Sequence, residues 1–141
     1  DGFEAAFGQH SGVIGSAEDY FYLPRFSMNE RYGGLDRFRI AINALPLPLV
    51  DVTPRDPLIG TKPNVTNPPP MGFTLAGNLE NLDKLACFLS HAGRAKIERF
   101  GSGRIEVRIS RPFPKGRTRL NCTLPGPDNR WYWYGRQFYR P

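Results

Sequence analysis

Short runs of alternating apolar and polar residues, separated by turn signals, dominate the chain after Pro70. Alternation with a period of two is typical of strands that bury one face. Gly101-Ser102-Gly103 separates two of the runs and indicates a hairpin. About six or seven short strands predict an immunoglobulin-like or fibronectin-like β-sandwich. The predicted strands cover residues 71–75, 84–89, 95–100, 104–109, 117–124 and 130–139.

The first third of the chain has a different pattern. We predict strands at residues 3–8 and 20–26, and a helix at 34–45, where apolar residues recur at helical spacing. The two strands have no earlier partner, so we expect them to belong to a sheet whose other strands lie elsewhere. A Pro- and Gly-rich stretch at 46–70 contains one edge-strand pattern, at 49–53, and marks a boundary. We therefore predict two units, residues 1–48 and residues 49–141.

The net charge of +6 is distributed unevenly between the two halves. Residues 1–57 hold 5 Lys and Arg against 8 Asp and Glu, while residues 58–141 hold 14 against 5. A basic half can bind an anionic glycan, nucleic acid or an acidic membrane surface, or it can simply be a well-solvated Arg-rich surface. The basic residues are spread over several strands without a known nucleic-acid motif, so we predict no nucleic-acid partner. No apolar run is long enough to predict a membrane span.

Each of the two cysteines, Cys87 and Cys122, lies in a strand pattern with leucines two residues away on either side. Both thiols are therefore predicted to point inward. In an oxidising compartment they can form a disulfide between two sheets. They can equally be small buried side chains that never meet.

Several segments resemble a known family. Residues 5–12 (AAFGQHSG), 21–30 (FYLPRFSMNE) and 35–38 (LDRF) look like the last barrel strands and terminal helix of bacterial polysaccharide deacetylases related to nodulation-type chitooligosaccharide deacetylases. Residues 67–73 (NPPPMGF) and 119–126 (RLNCTLPG) resemble the β domain appended to some proteobacterial members. The resemblance implies a partial α/β barrel tail, with one helix, that precedes a β-sandwich accessory domain.

The family removes acetyl groups from N- or O-acetylated glycans, usually outside the cytoplasm, with a divalent metal such as zinc in the complete enzyme. Its metal site uses an Asp and two histidines from early barrel strands, with a separate Asp as base. None of these motifs occurs in this sequence, so we predict no metal site or cofactor in the chain and no activity of the chain alone. The implied partners are a polysaccharide or oligosaccharide and the missing N-terminal catalytic barrel. The implied location is exported, periplasmic or cell-envelope, with the cytoplasm left as an alternative.

His10 is the one candidate catalytic residue. It follows a short apolar strand, and residues just past the strand ends of parallel α/β barrels line active sites. Gln9 and Ser11 beside it are candidate substrate-binding residues. The alternative is a loop histidine bonded to the backbone.

A second candidate site lies in the aromatic run Trp131-Tyr132-Trp133-Tyr134. Alternation places the tryptophans on one strand face and the tyrosines on the other, so one pair can enter the core. Exposed aromatic rings stack on sugars, and Arg136 can bind acidic groups. We therefore predict Trp133, Tyr134 and Arg136 as substrate-binding residues. The alternative is that the outer pair packs against the barrel tail.

Two other functions fit the sequence. The first is a stand-alone carbohydrate-binding module that uses exposed aromatic residues. The second is a non-catalytic structural adaptor, which predicts an exposed apolar patch around residues 3–26 and dimer formation through it. Residues 64–66 and 121–123 match the N-glycosylation signal, and the second match is predicted to lie half-buried in a strand.

Overall fold

The computed structural model describes residues 2–16, 18–60 and 66–141. Within these ranges the chain forms one α-helix and nine strands. The first glycosylation signal has its first two residues outside the described part. The elements are α1 (Leu35–Asn43), β1 (Leu45–Pro46), β2 (Leu49–Thr53), β3 (Gly72–Leu75), β4 (Ala86–Leu89), β5 (Gly93–Arg94), β6 (Lys96–Arg99), β7 (Arg104–Arg108), β8 (Gly116–Pro125) and β9 (Trp131–Arg140).

The strands form two sheets. One has the order β1-β9-β8-β4-β5 and the other the order β2-β3-β7-β6. All neighbours are antiparallel except β1, which pairs in parallel with β9. The prediction of a mainly β chain with one helix is confirmed. The immunoglobulin-like or fibronectin-like type of sandwich stays a prediction.

Both sheets contribute to one hydrophobic core. Phe73 of β3 meets Tyr134 of β9 edge to face, with ring centroids 5.8 Å apart. Burial of this apolar surface is the main term that holds the two sheets together. The buried residues of the core are Leu47, Ile59, Met71, Phe73, Leu75, Leu85, Cys87, Leu89, Ile105, Val107, Phe113, Leu120, Cys122, Leu124, Tyr134 and Phe138.

The predicted strands after Pro70 are present, with their ends displaced by a few residues at most. Lys84 is an exception, because it belongs to a 3-10 turn at Leu82–Lys84 that leads into β4. The hairpin at Gly101-Ser102-Gly103 is confirmed, since it connects β6 and β7. Ser102 lies in the left-handed region with φ of 61°, as this tight connection requires.

The strands predicted at 3–8 and 20–26 are shorter than expected. Phe7 and Leu23 form a single parallel bridge, and a turn occupies Tyr20 and Phe21. The bridge is bounded by backbone hydrogen bonds from Leu23 N to Ala6 O (2.9 Å) and from Gly8 N to Leu23 O (2.8 Å). Two strands with no further neighbour cannot extend a ladder, because a lone pair is marginal in water.

The helix is shorter than the predicted range of 34–45 and buries none of its residues. Its apolar side chains remain largely in solvent, including Leu35 at 71%, Phe38 at 46% and Ile42 at 62% exposure. The helix is therefore confirmed at the predicted place, but the described residues supply no core for its apolar face.

The opening segment, which the structure describes at residues 2–16 and 18–26, lies against β9. The Tyr22 hydroxyl donates to the Gln137 carbonyl at 2.9 Å, and the Phe26 ring meets the Trp133 ring edge to face at 5.1 Å. A Cβ on Gly135 would lie 1.6 Å from the Ser11 carbonyl oxygen. Glycine is therefore required at 135 because another backbone crosses directly over it.

Cys87 and Cys122 form a disulfide. They are cross-strand partners in β4 and β8, so the bond joins neighbouring strands of one sheet and not the two sheets. Both residues are fully buried. Such a bond fits an oxidising, extracellular compartment.

Replacing both cysteines, Cys87→Ala with Cys122→Ala, should lower the free energy of unfolding by about 3–4 kcal/mol, because the bond closes a 35-residue separation in the unfolded chain. Urea unfolding followed by tryptophan fluorescence measures this change. An unchanged urea midpoint would contradict it.

Candidate functional site

An open cleft of about 490 Å³ lies where the opening segment, the β1–β2 connection and β9 meet. We call it the β9 cleft. Its charged and aromatic lining comes from Glu18, Asp19, Asp51, Arg55, Trp133, Tyr134 and Arg136. A volume of this size is within the usual range for small-molecule sites.

Alternation along β9 determines which of its aromatic rings face the core and which face outward. Tyr134 faces the core and is only 6% exposed, whereas Trp131 on the other face is 38% exposed. Trp133 is half-buried, and its indole N–H donates to Asn121 Oδ1 at 3.3 Å. The tyrosines are therefore the inward pair and the tryptophans the outward pair, a choice that the sequence left open.

Arg136 provides the central charge of the cleft. Its Nη2 donates to the Arg55 carbonyl, and the guanidinium carbon lies 5.9 Å from the Phe138 ring centroid. Its buried Nε has no hydrogen-bond partner among the described residues. The guanidinium is thus held by the Arg55 carbonyl and the Phe138 ring, while its Nε makes no hydrogen bond to the described residues.

The Tyr134 hydroxyl is also buried, and within the described ranges it has no well-formed hydrogen bond, although the Arg136 guanidinium lies beside it. Burial raises the pKa of this phenol to about 12, against the opposing effect of Arg136. Tyr134 is therefore a neutral donor throughout the physiological range.

Glu18 reaches the same cleft from the opening segment. Burial raises the pKa of its carboxyl, the Arg136 charge acts in the opposite direction, and Asp19 adds to the rise. Asp19 itself accepts the Phe21 N–H at 2.9 Å. Asp51 of β2 also lines the cleft, and its backbone lies in the left-handed region with φ of 52°.

His10 is 2% exposed and stacks on the Tyr22 ring at 4.7 Å. Its Nδ1 has no hydrogen-bond partner in the described part of the chain, and its ring rests on the Gly8 backbone. Burial first, and then the Arg136 charge, lower the pKa of His10 to about 4. The imidazole is therefore neutral near pH 7 and packs against Tyr22 and Gly8.

Gln9 and Ser11, the neighbours of His10, do not line the β9 cleft. The Gln9 amide oxygen accepts from Arg117, and the Ser11 main chain lies over Gly135. Of the predicted site residues, Trp133, Tyr134 and Arg136 are brought together. Sequence reasoning missed Glu18, Asp51 and Arg55, which no motif marks; Asp51 lies in β2 and the other two lie outside helices and strands.

The described residues include no group of three or more His, Cys, Asp or Glu side chains placed to hold a metal ion. His91, the second histidine, lies elsewhere, 3.4 Å from the Thr118 hydroxyl. The described residues therefore offer no ligand set that fits the metal implied by the resemblance, and we derive no step through that metal. None of the described helices has the length and hydropathy needed to cross a bilayer.

No family model, curated protein or solved structure matches this chain.

The low pKa of His10 predicts a pH-dependent stability. The unfolded histidine titrates near 6.5 and the folded one near 4, so the unfolded state binds more protons between these values. Stability should be full above about pH 6.5 and fall by about 1–3 kcal/mol as the pH drops to 4. Urea unfolding at pH 7, 5.5 and 4 measures this slope.

His10→Gln should flatten the slope, whereas His91→Gln, the matched change at the other histidine, should keep it. Equal slopes in the two variants would show that His10 is not its source.

Proposed function

We propose that this chain is the C-terminal portion of an exported, metal-dependent polysaccharide deacetylase. In this proposal the opening segment and helix α1 complete the catalytic barrel, while the two-sheet unit braces the barrel and contacts the glycan. The chain alone is not active, because the metal ligands and the base belong to the missing barrel. The support from the sequence is the resemblance of residues 5–12, 21–30 and 35–38 to barrel-closing elements.

The observation that carries the proposal is the parallel bridge between Phe7 and Leu23. Sheets built entirely of parallel strands occur almost only where both faces are covered. Here one side is anchored, since Leu23 and His10 are buried, while other rings of the segment remain in solvent. The most exposed rings are Phe3 at 83%, Tyr20 at 71%, Phe7 at 62% and Phe21 at 61%.

So much exposed aromatic surface in one segment marks an interaction site. A barrel in which these two stretches are neighbouring strands would cover it. Helix α1, which has no buried residue, fits the same interpretation as an outer helix of that barrel. The disulfide supports the exported location.

Deacetylase activity tests the proposal directly. With zinc and an acetylated glycan, the gene product that contains this chain should release acetate, and the chain alone should release none. Acetate is measured enzymatically. A gene product without activity on N- and O-acetylated glycans would refute the proposal, and activity in the chain alone would refute the assignment of the catalytic groups to the barrel.

The bracing role is tested at Gly135. A Cβ there meets the Ser11 carbonyl at 1.6 Å, so Gly135→Ala should release the opening segment from β9. We expect faster proteolysis within residues 2–26 and, in the full gene product, at least about tenfold lower activity. Phe26→Ala, which removes only the ring contact with Trp133, should have a smaller effect in the same direction.

Gly101→Ala is the matched control, because a Cβ at that position has no neighbour within 4 Å. If Gly135→Ala and Gly101→Ala showed the same proteolysis and the same activity, the brace would be excluded.

A stand-alone carbohydrate-binding module is the second candidate, and one feature favours it. A groove of about 360 Å³ on the outer sheet face is lined by Phe88 and Trp131, with Asn121 and Thr123 as polar neighbours. Phe88 and Trp131 are 45% and 38% exposed, so their rings are free to stack on sugars. Retention of a Trp131→Ala variant on a polysaccharide gel, compared with the unaltered chain, distinguishes this function.

A further inference from the structure

We propose that the β9 cleft binds a glycan unit that carries a free ammonium group, in preference to its acetylated form. The inference rests on the proposed function and deepens it. Hydrolysis of an N-acetyl group leaves such an amine on the sugar, so the two-sheet unit would hold the product region of the polymer. The argument comes from the charges, the free donors and the ring that line the cleft.

The charges of the cleft favour a cation. Three carboxylates line it, those of Glu18, Asp19 and Asp51, against the two guanidinium groups of Arg55 and Arg136. Arg136 already donates to the Arg55 carbonyl and lies against the Phe138 ring. The remaining negative charge attracts an ammonium group, while a neutral acetamide gains nothing from it.

Glu18 is the carboxylate best placed for this role. It lies in the cleft wall and is partly buried, so its charge loses hydration that an ammonium ligand would replace. Burial is the larger influence on the Glu18 carboxyl and raises its pKa. The Arg136 charge lowers this pKa, but it offsets the effect of burial only in part. A bound ammonium group would stabilise the ionised carboxylate.

An independent observation points to a polar ligand in the same place. Two buried polar groups of β9, the Tyr134 hydroxyl and Arg136 Nε, have no hydrogen bond of standard geometry to the described residues, although the Arg136 side chain lies within hydrogen-bonding reach of the hydroxyl. Buried polar groups without partners are uncommon and costly. Tyr134 lines the cleft together with Arg136 and Glu18. Sugar hydroxyl oxygens are suitable acceptors for both donors.

Trp133 completes the site. It lines the cleft beside these groups, and its indole is fixed by Phe26 and by the hydrogen bond to Asn121. A fixed aromatic ring offers an apolar surface to the C–H face of a sugar. The cleft thus combines a ring, two donors and an excess of carboxylates, which are the groups that an amino sugar requires.

Binding of a β-1,4-linked glucosamine tetramer and of the matched N-acetylglucosamine tetramer to this chain tests the inference by calorimetry. The amine form should bind at least about tenfold tighter, and its affinity should fall as salt is raised. Glu18→Gln should lower the affinity for the amine form by about tenfold and leave the acetylated form unaffected. Equal affinity for both tetramers, or no binding of either, would overturn the inference.

Asp51→Asn is a second variant in the lining of the cleft. Asparagine tolerates the left-handed backbone at this position, so the fold should persist while one charge is removed. Glu98→Gln is the matched control, because Glu98 pairs with Lys96 and Arg108 on the other sheet. Circular dichroism checks that each variant folds. Loss of binding in Glu98→Gln to the same extent as in Glu18→Gln would also contradict the inference.

This test is separate from that of the proposed function. Acetate release by the full gene product can occur without any preference of the cleft for amines, and then only the inference fails. Amine-selective binding by this chain, with no acetate release by the gene product, would instead refute the deacetylase proposal.

Discussion

Strand β9 is packed on both faces and paired along its length, and the remaining structure depends on this arrangement. It pairs with β8 over ten residues, from Trp131 opposite Pro125 to Arg140 opposite Gly116. Its inner face supplies Tyr134 and Phe138 to the core, and its outer face carries the opening segment. A strand that is covered on both faces carries apolar residues on both, which accounts for Tyr134 on the inner face and Trp133 under Phe26 on the outer one. A one-residue slip of register would exchange the two faces and remove both contacts.

Arg136 connects the electrostatics of the parts that meet at β9. The same guanidinium lowers the pKa of His10 and opposes the effect of burial on Glu18 and Tyr134. A fixed positive charge at a partly apolar junction interacts more strongly than one in bulk water. The opening segment therefore meets β9 through a neutral histidine and a carboxylate rather than through a second cation. The same charge distribution makes the cleft suitable for a polar ligand.

The strands after Pro70, the hairpin at 101–103 and the inward cysteines were predictable because each depends on local periodicity or turn chemistry. Cys87 and Cys122 needed only alternation to be placed inside. Their pairing within one sheet required the β4–β8 register, which no local pattern specifies. The strands predicted at 3–8 and 20–26 became a single bridge because strand propensity without a neighbouring strand does not produce a ladder.

The residues of the candidate site also separate into those that local sequence predicts and those that only the fold brings together. Trp133, Tyr134 and Arg136 were predictable, since they are consecutive or alternate residues of one strand with an unusual composition. Glu18, Asp51 and Arg55 were not, because Glu18 is more than 30 residues from the other two in the sequence and all three meet β9 only in the folded chain. His10 was singled out for its place after a short apolar run, and its burial against Tyr22 followed only from the fold.

The sequence by itself determined the two-sheet character, the helix and the inward position of both cysteines, because these follow from side-chain period and turn residues. Only the tertiary structure decided which aromatic pair of β9 faces the core and where the opening segment lies. It also decided which distant charges share the cleft. These outcomes depend on long-range packing, in which the free energy gained by burying one face excludes the alternative that local pattern allows equally.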